Sequence, residues 1–198
     1  MALKKTNLKG FNILLGVSGG VAAYKAVDLA SRLTAAGAKV NTVMTEAACQ
    51  LVGPKSFEAV TNSAVFTTLW STSEEYKISH INLADRANIV VVAPATANII
   101  GKIANGICDD LLSTILCACW PLIKSGAALL APAMNSNMWD NPAVQQNIKT
   151  VKDMGFELIG PEEGPLACGT EGIGRMSEPQ DILKAIEKIA SKIKRKKR

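Results

Sequence analysis

The segment ILLGVSGGVAAYKAVDLASRLTAAGAKVNTVM, residues 13–44, decides the fold prediction. It reads as a buried strand (Ile13–Val17), a glycine turn, an amphipathic helix (Val21–Ala36) and a second strand (Val40–Met44). Gly37 stands directly after the last turn of the helix, where a left-handed cap is common. A strand, a helix and a second strand in this order predict a parallel βαβ unit.

Further apolar runs of the same kind follow along the chain. They are near-continuous instead of alternating, which is typical of parallel strands covered by helices on both faces. The predicted strands are Ile89–Ala93, Ala128–Ala131 and Phe156–Ile159. We therefore predict the α/β class, with a three-layer, doubly wound parallel sheet.

Helical patterns separate these strands. One covers Ala97–Leu116 with an expected break at Gly106, and a last helix begins near Pro179. Another covers Pro142–Met154, with Asp140 or Asn141 as its N-cap. Two stretches fit neither pattern and are predicted to be long functional or mobile loops. They are Ser63–Asn82 and Gly160–Ser177.

Composition limits the classes of function. The chain has 198 residues, 48% of them hydrophobic, which suits one packed domain, predicted over residues 1–190 with a basic tail at 191–198. Six of the 22 Lys and Arg residues lie in that tail, which leaves 16 basic against 17 acidic residues elsewhere. The basic charge is therefore terminal, and nucleic-acid binding is disfavoured.

Targeting and cysteine usage point to a cytoplasmic protein. No apolar run approaches the roughly 20 residues of a membrane span, and the first nine residues are too polar for a secretory signal. Five cysteines without framework spacing predict reduced thiols, and one histidine with no C-x-x-C pair argues against a metal site. Four of the cysteines lie in helical apolar patterns that indicate packing, namely Cys49, Cys108, Cys117 and Cys119.

The glycine turn after the first strand is a candidate phosphate site. Residues 16–21 (GVSGGV) join a strand to a helix, where backbone N–H groups and the helix dipole favour an anion. Ser18 occupies the second glycine position of the dinucleotide pattern, and no acidic residue stands right at the end of the second strand. A mononucleotide fits better, with the hydroxyls of Ser18 and Thr45 as donors. A plain tight turn is the structural alternative.

Two more polar loops follow the third and fourth strands. They are Pro94–Asn98 and Pro132–Trp139, and each lies at the predicted carboxyl edge of the sheet. Thr96 and Asn98 can also serve as helix caps and nothing more. The convergence of three loops on one edge nevertheless favours a ligand site.

Two single residues have the chemistry of catalysis. His80 is the only histidine, and histidine is the side chain whose ordinary pKa lies near neutrality. Cys168 lies in a predicted loop, where a thiol can donate a proton or react. Both also have an ordinary structural interpretation.

Two motifs then identify a family resemblance. Residues 132–139 read PAMNSNMW, which matches P-x-M-N-x-x-M-W, and LACG at 166–169 is followed by GIGRMSEP at 172–179. Over about residues 10–190 the chain resembles the flavin-containing cysteine decarboxylases. It is most similar to the phosphopantothenoylcysteine decarboxylases, which occur free-standing or as the amino-terminal half of a bifunctional coenzyme A enzyme.

The resemblance implies a Rossmann-like or flavodoxin-like flavoprotein with FMN as cofactor. The implied catalytic residues are His80 as a base or orienting group, Asn135 as the carboxylate ligand and Cys168 as the proton donor. The implied FMN ligands are Ser18, Gly19, Gly20, Val21, Thr45, Glu46, Ala47, Thr96, Ala97, Asn98 and Ala133. The implied substrate ligands are Asn135, Met138, Ala167 and Met176, with the loop 164–176 closing over the substrate.

The resemblance also implies a reaction. FMN takes two electrons from the substrate to give a thioaldehyde, loss of CO2 gives an enethiolate, and return of the hydride with a proton from Cys168 gives 4′-phosphopantetheine. Peptidyl-cysteine decarboxylases stop at the enethiol, and some relatives are non-catalytic regulatory or hetero-oligomer subunits. Family members form trimers or dodecamers, so a homo-oligomer is expected. Because the sequence stops at Arg198, we expect a monofunctional protein or one domain of the bifunctional enzyme.

Overall fold

The computed structural model describes residues 8–70, 80–167 and 169–196, with the backbone alone for His80 and residues 194–196. Within these ranges six strands form a parallel sheet, in the order β3-β2-β1-β4-β5-β6. Two further strands form an antiparallel hairpin. The strands are β1 (Asn12–Val17), β2 (Lys39–Met44), β3 (Val65–Phe66), β4 (Ile89–Ala95), β5 (Ala128–Pro132), β6 (Glu157–Leu158), β7 (Glu162–Pro165) and β8 (Glu171–Arg175).

Helices connect the parallel strands. They are α1 (Ala23–Ala35), α2 (Glu46–Cys49), α3 (Pro54–Thr61), α4 (His80–Arg86), α5 (Ala97–Asn105), α6 (Leu111–Ala118), α7 (Trp120–Lys124), α8 (Ser136–Trp139), α9 (Pro142–Met154) and α10 (Pro179–Lys196). Gly37, with φ +91°, follows α1 as expected, and Asn141 is the side chain that caps α9. No helix within the described residues is long and apolar enough to cross a membrane.

The sheet is covered on both faces. In β1, Ile13, Leu15 and Val17 pack into a core with α1, α3 and α10, whereas Leu14 packs into a second core with α4, α5, α6 and α9. Both faces of each central strand are buried, which explains the near-continuous apolar runs. The three-layer, doubly wound α/β prediction is confirmed.

The strand order reverses between β1 and β4, which lie side by side at the centre of the sheet. In open α/β sheets a crevice forms beside the carboxyl ends of the strands at such a reversal. The loops after β1, β2, β4 and β5 therefore reach the same edge.

The two predicted loops were partly wrong. Residues 160–177 contain the β7–β8 hairpin, and the five glycines of this stretch obscure the two-residue period of its strands. Residues 63–82 contain β3, which is only two residues long, and the start of α4. A two-residue edge strand is too short to give an apolar run, so sequence patterns miss it.

The predicted helix over residues 97–116 is two helices, separated by residues 106–110. Gly106 has φ +66° and ends α5, as expected, but α6 begins only at Leu111. Cys108 lies in this gap and is exposed, and Cys117 is exposed on α6, so the packing prediction was wrong for both. Cys119 is buried, and burial, with the charge of Asp85 as a smaller cause, raises its pKa to about 12.

Candidate functional site

A cavity of about 1060 Å³ opens at the carboxyl edge, where the strand order reverses. Its lining comes from the loops after β1, β2, β4 and β5, from α1, α5 and the loop between α5 and α6, and from the hairpin. The lining residues are Ser18, Gly19, Gly20, Val21, Ala22, Tyr24, Lys25, Thr45, Glu46, Ala47, Thr96, Asn98, Lys102, Asp109, Asp110, Ala133, Met134, Asn135, Met138, Pro165, Leu166, Ala167, Gly174, Arg175 and Met176.

Ser18 fixes the glycine turn to the loop after β4. Its side chain is buried, and its Oγ donates to the Pro94 carbonyl at 2.8 Å while accepting from the Thr96 N–H at 3.1 Å. Because the strands are neighbours, residues 78 apart in sequence share one hydroxyl. The turn is therefore part of the sheet edge and has little freedom to move.

Gly19 brings the same turn against the loop after β2. A Cβ at Gly19 would overlap the Ala47 side chain and press on its backbone. Thr45 caps α2 by accepting from the Ala48 N–H at 3.2 Å, which holds Ala47 in this position. The glycine is required for close packing of two loops around the cavity.

The N-terminus of α1 faces the cavity without a side-chain cap. Its N-cap residue is Ala22, whereas Thr96 and Asp110 cap α5 and α6 with their side chains. Within the described residues, the backbone N–H groups of Val21 and Ala22 donate no hydrogen bond outside helices. An uncapped helix start with unused N–H groups is an anion-binding arrangement.

The predicted residues of the other loops occupy different positions. Thr96 caps α5, accepting from the Ile99 N–H at 3.4 Å, and it lines the cavity together with Asn98. Ala97 lies within the described residues but is not among the lining residues, and it is the first residue of α5, directly after the N-cap Thr96. Ala133 is nearly buried at the cavity wall.

Asn135 follows β5, is the N-cap of α8 and lines the cavity. Its Oδ1 accepts from the Asn137 N–H at 2.8 Å. The side-chain oxygen therefore caps α8, and the amide nitrogen is the hydrogen-bond donor of this side chain.

The hairpin packs against the loop that carries Asn135. The Met134 N–H donates to the Gly174 carbonyl at 3.0 Å, and a Cβ at Gly174 would overlap the Met134 carbonyl oxygen. Met138, Ala167 and Met176, the predicted substrate ligands besides Asn135, all line the cavity. Asn135 and the hairpin thus form one wall.

The other two predicted catalytic residues are not described. Cys168 lies outside the described residues, although its neighbour Ala167 lines the cavity. His80 begins α4, but its side chain also lies outside the described part. Their roles stay predictions.

Sequence reasoning missed a charged group at the cavity. Lys102 Nζ lies 2.6 Å from Asp109 Oδ1 and 2.7 Å from Asp110 Oδ2. Burial opposes the charge on Lys102, but its hydrogen bonds to both carboxylates raise its pKa. Burial likewise opposes the charge on Asp110, but hydrogen bonds from Lys102 and Ser113 lower its pKa. The spacing Asp110-x-x-Ser113, a reciprocal capping box, was the available signal.

A second missed group lies at the hairpin side. Lys25 Nζ donates to Glu178 Oε1 at 2.9 Å, and Arg175 Nη2 donates to the same oxygen. These two hydrogen bonds, Lys25 first, lower the pKa of Glu178. No sequence signal links residues 25 and 178, which are 153 positions apart.

Among residues 8–70, 80–167 and 169–196, no group of three His, Cys, Asp or Glu side chains could hold a metal ion. The polar groups at the cavity include hydroxyls, amides, backbone N–H groups, ion pairs and the Glu46 carboxylate. Such a set suits an organic ligand with anionic groups.

Relatives of the chain are metabolic enzymes. It is 48% identical over 181 residues to the coenzyme A biosynthesis bifunctional protein CoaBC of Bacillus subtilis, covering 91% of this chain but 43% of that protein. The chain thus spans less than half the length of that relative. It is 38% identical to a probable phosphopantothenoylcysteine decarboxylase of Streptococcus mutans, covering 88% of this chain and 96% of that one.

Solved structures share the fold. A mutant PPC decarboxylase complexed with pantothenoylaminoethenethiol aligns with a TM-score of 0.78 and 31% identity, over 91% of this chain and 98% of that chain. The FMN binding protein AtHal3 aligns with a TM-score of 0.73 and 32% identity, over 90% and 95%. The family model described as "Flavoprotein" matches residues 1–191, so the chain belongs to the flavoprotein family.

Proposed function

We propose that the chain is an FMN-dependent decarboxylase that converts 4′-phosphopantothenoylcysteine to 4′-phosphopantetheine in coenzyme A biosynthesis. The observation that carries the proposal is one cavity with two different walls. An uncapped helix start and a glycine turn form one wall, and Asn135 with the hairpin forms the other. The Streptococcus mutans relative, matched over nearly its whole length, supports the same activity.

The residues present fit FMN. Gly19 and Gly20 let the backbone of the turn lie close to a ligand, and the uncapped N-terminus of α1 suits the phosphate of FMN. The proposed ligands are Ser18, Gly19, Gly20, Val21, Thr45, Glu46, Ala47, Thr96, Asn98 and Ala133, with Ala97 acting through its backbone. When bound, FMN supplies reversible two-electron oxidation of the substrate carbon that bears sulfur.

Asn135 is proposed to hold the substrate carboxylate. Its amide nitrogen is a neutral donor whose oxygen is already engaged at the N–H of Asn137, so the orientation of the amide is set before the substrate binds. A neutral ligand suits a carboxylate that must leave as CO2, because it adds no strong ion pair to the ground state. Met138, Ala167 and Met176 supply apolar surface around the substrate.

Two further roles complete the proposal. His80 acts as a base or orienting group near the substrate, and the Cys168 thiol gives the final proton to the product carbon. A thiol donates a proton readily only if it is protonated at the working pH, which an ordinary cysteine is near neutrality. We also propose that the protein is a cytoplasmic homo-oligomer, either a trimer or a dodecamer. Light scattering on the purified protein measures its oligomeric state.

The first experiment is to purify the protein, record its visible spectrum and add 4′-phosphopantothenoylcysteine while following CO2 and product mass. We expect a yellow protein that releases CO2 and forms 4′-phosphopantetheine. A yellow protein without turnover would instead indicate a regulatory or partner-dependent subunit. Protein that stays colourless after incubation with FMN would refute the cofactor assignment.

Asn135→Asp tests the carboxylate site. A carboxylate at this position repels the substrate carboxylate, so kcat/KM falls by roughly 100-fold or more while FMN stays bound. Asn137→Asp is the matched control, because it adds the same charge two residues away on an exposed side chain outside the cavity. Equal activity of the Asn135→Asp variant and the parent would remove Asn135 from the site.

Cys168→Ser tests the proton donor. This variant should bind FMN and release CO2 but accumulate the oxidised enethiol, since only the last proton transfer is lost. Mass spectrometry distinguishes the enethiol from 4′-phosphopantetheine by two hydrogens. A normal yield of 4′-phosphopantetheine would exclude Cys168 from the mechanism.

A further inference from the structure

A smaller cavity of about 490 Å³ adjoins the main one at the hairpin wall. The two cavities share Tyr24, Lys25, Pro165 and Arg175 as lining residues. Glu178 lines only the smaller cavity, within the described residues. Lys25 and Arg175 therefore lie where the main cavity continues outward.

Two cationic side chains converge here on one oxygen atom. Lys25 Nζ and Arg175 Nη2 both donate to Glu178 Oε1. In the described part of the chain neither cation forms a second ion pair. A lysine has three N–H donors and an arginine five, so most of their donors are not used on Glu178.

Both cations keep hydrogen-bond donors for an added anion. Glu178 accepts one hydrogen bond from each of them, Glu162 acts on Arg175 only through its charge, and Asp28, which lines the smaller cavity, already pairs with Arg32 at 2.8 Å. The Lys25 side chain is only 14% exposed, so its charge is held out of bulk water. A phosphate monoester, with a charge of about −1.5 to −2 at neutral pH, fits this arrangement better than a neutral group.

The elements that carry the two cations indicate which phosphate binds. Arg175 lies in β8 between Gly174, which contacts the loop of Asn135, and Met176 of the cavity wall. FMN already has the uncapped start of α1 for its phosphate in the function proposed above. Lys25 lies in the first turn of the same helix, but its Nζ reaches Glu178 beside Arg175, so the cation pair meets on the hairpin side of the cavity.

We propose that Lys25 and Arg175 bind the 4′-phosphate of the substrate, and that Glu178 positions both cations. The inference rests on the proposed function, because that function supplies a substrate with a phosphate monoester. Substrate selection between phosphorylated and unphosphorylated pantothenoylcysteine then depends on these two side chains. Guanidinium and ammonium groups together can contact several phosphate oxygens at once.

The test compares two substrates that differ only in the phosphate. We expect Lys25→Gln and Arg175→Gln each to raise KM for 4′-phosphopantothenoylcysteine roughly 10-fold or more, with kcat within about 2-fold. The kcat/KM for pantothenoylcysteine should stay within about 2-fold of the parent. Lys25→Arg should retain most of the preference, and Lys39→Gln, an exposed lysine at the start of β2 on the opposite edge of the sheet, should leave it unchanged.

Other outcomes overturn the inference in distinct ways. An equal loss for both substrates would show that the cations only support the hairpin. Weakened FMN binding, measured by flavin fluorescence, would assign the pair to the phosphate of the cofactor instead.

A binding measurement separates this inference from the proposed function. If the protein binds FMN but has no turnover, calorimetry with 4′-phosphopantetheine and pantetheine still tests the site. The parent should bind the phosphorylated compound roughly 10-fold more tightly, and the Lys25→Gln/Arg175→Gln double variant should lose that difference. Equal affinity of the parent for both compounds would refute a phosphate site at this position.

Discussion

The two walls of the cavity are built in different ways. The sheet wall, residues 18–22, 45–47 and 96–98, follows the ends of three buried parallel strands. The hairpin wall, residues 134–138, 162–167 and 169–176, consists of the β5–α8 loop, the start of α8 and two strands that pair only with each other in the described structure. One wall is therefore fixed by the core of the protein, and the other packs on its surface.

The contacts of each wall show the same difference. In the sheet wall, Ser18 is 2% exposed and holds the Pro94 carbonyl and the Thr96 N–H together. In the hairpin wall, residues of β7 are half-buried or exposed, and the wall is held by the Met134 to Gly174 hydrogen bond and by the ion pairs of Glu178. A preformed site suits a cofactor that stays bound, and a separate wall suits a substrate that exchanges in each turnover.

The largest expected effect is the loss of FMN binding when the glycine turn of the sheet wall is displaced. Gly19→Val places a branched side chain where a Cβ already overlaps Ala47, so the turn must leave its position. We expect purified protein without flavin and an FMN affinity lowered by at least about 100-fold, measured by fluorescence titration. Gly53→Ala is the control, since its Cβ meets nothing within 4 Å and should leave the protein yellow.

The corresponding substitution in the hairpin wall should lower catalytic activity without weakening FMN binding. At Gly174, φ is +154° and a Cβ overlaps the Met134 carbonyl oxygen, so Gly174→Ala displaces the hairpin from the loop of Asn135. We expect kcat/KM to fall by about 100-fold while FMN binding stays normal, because a displaced wall misplaces substrate groups by an ångström or more.

Gly164→Ala separates the effect of space from that of backbone strain. Gly164 has nearly the same φ, +153°, but its Cβ would meet only the end of the flexible Arg175 side chain at 3.4 Å. Its loss of activity should therefore be much smaller. Similar losses in both variants would show that strain, and not the contact with Met134, explains the result.

The difference between the buried sheet wall and the surface hairpin also explains which parts of the fold the sequence could predict. The sheet wall follows strands whose both faces are buried, and burial leaves the apolar runs from which the prediction started. The hairpin shows no such hydrophobic pattern in the sequence, because glycines at 164, 172 and 174 replace the alternating side chains of a strand. The family motif in this region was recognised by resemblance, but the region was predicted to be a loop and not a hairpin.

Charged contacts at the cavity were harder still to predict. The pairing of Lys25 with Glu178 joins the first and last parts of the chain, and only the assembled fold brings them together. Asp110 and Ser113, three residues apart, were within reach of a capping pattern. Local hydrogen bonds leave a sequence signal, and long-range ion pairs do not.

Ser18→Ala tests how strongly the sheet wall is fixed. The substitution removes the hydroxyl that accepts from the Thr96 N–H and donates to the Pro94 carbonyl, and it leaves buried polar groups without this partner. We expect a loss of about 1–3 kcal/mol in the free energy of unfolding, measured in urea, with weaker FMN binding. Ser125→Ala, whose Oγ forms an exposed bond to the Leu122 carbonyl, should change stability by less than about 0.5 kcal/mol. Equal losses in the two variants would contradict a special role for Ser18.

The smallest expected effects compare one carboxylate from each side of the cavity. The pKa values of Asp110, beside the sheet wall, and Glu178, beside the hairpin, are both lowered in the folded protein. A lowered folded pKa stabilises the protein above the unfolded pKa, near 4, and this stability is lost as the pH falls through the folded value. Asp110→Asn should therefore cost about 1 kcal/mol at pH 7 and progressively less below pH 4, since asparagine can still cap α6.

Glu178→Gln should cost only a few tenths of a kcal/mol at pH 7, because the Glu178 side chain is 42% exposed and solvent screens its ion pairs, against 29% for Asp110. Urea unfolding of both variants and the parent at pH 7 and pH 3 measures the difference. A larger cost for Glu178→Gln than for Asp110→Asn would mean that the ion pairs of the hairpin contribute more to folding than the charged cap beside the sheet wall. The hairpin would then be as firmly fixed as the sheet, and its substrate side would be preformed too.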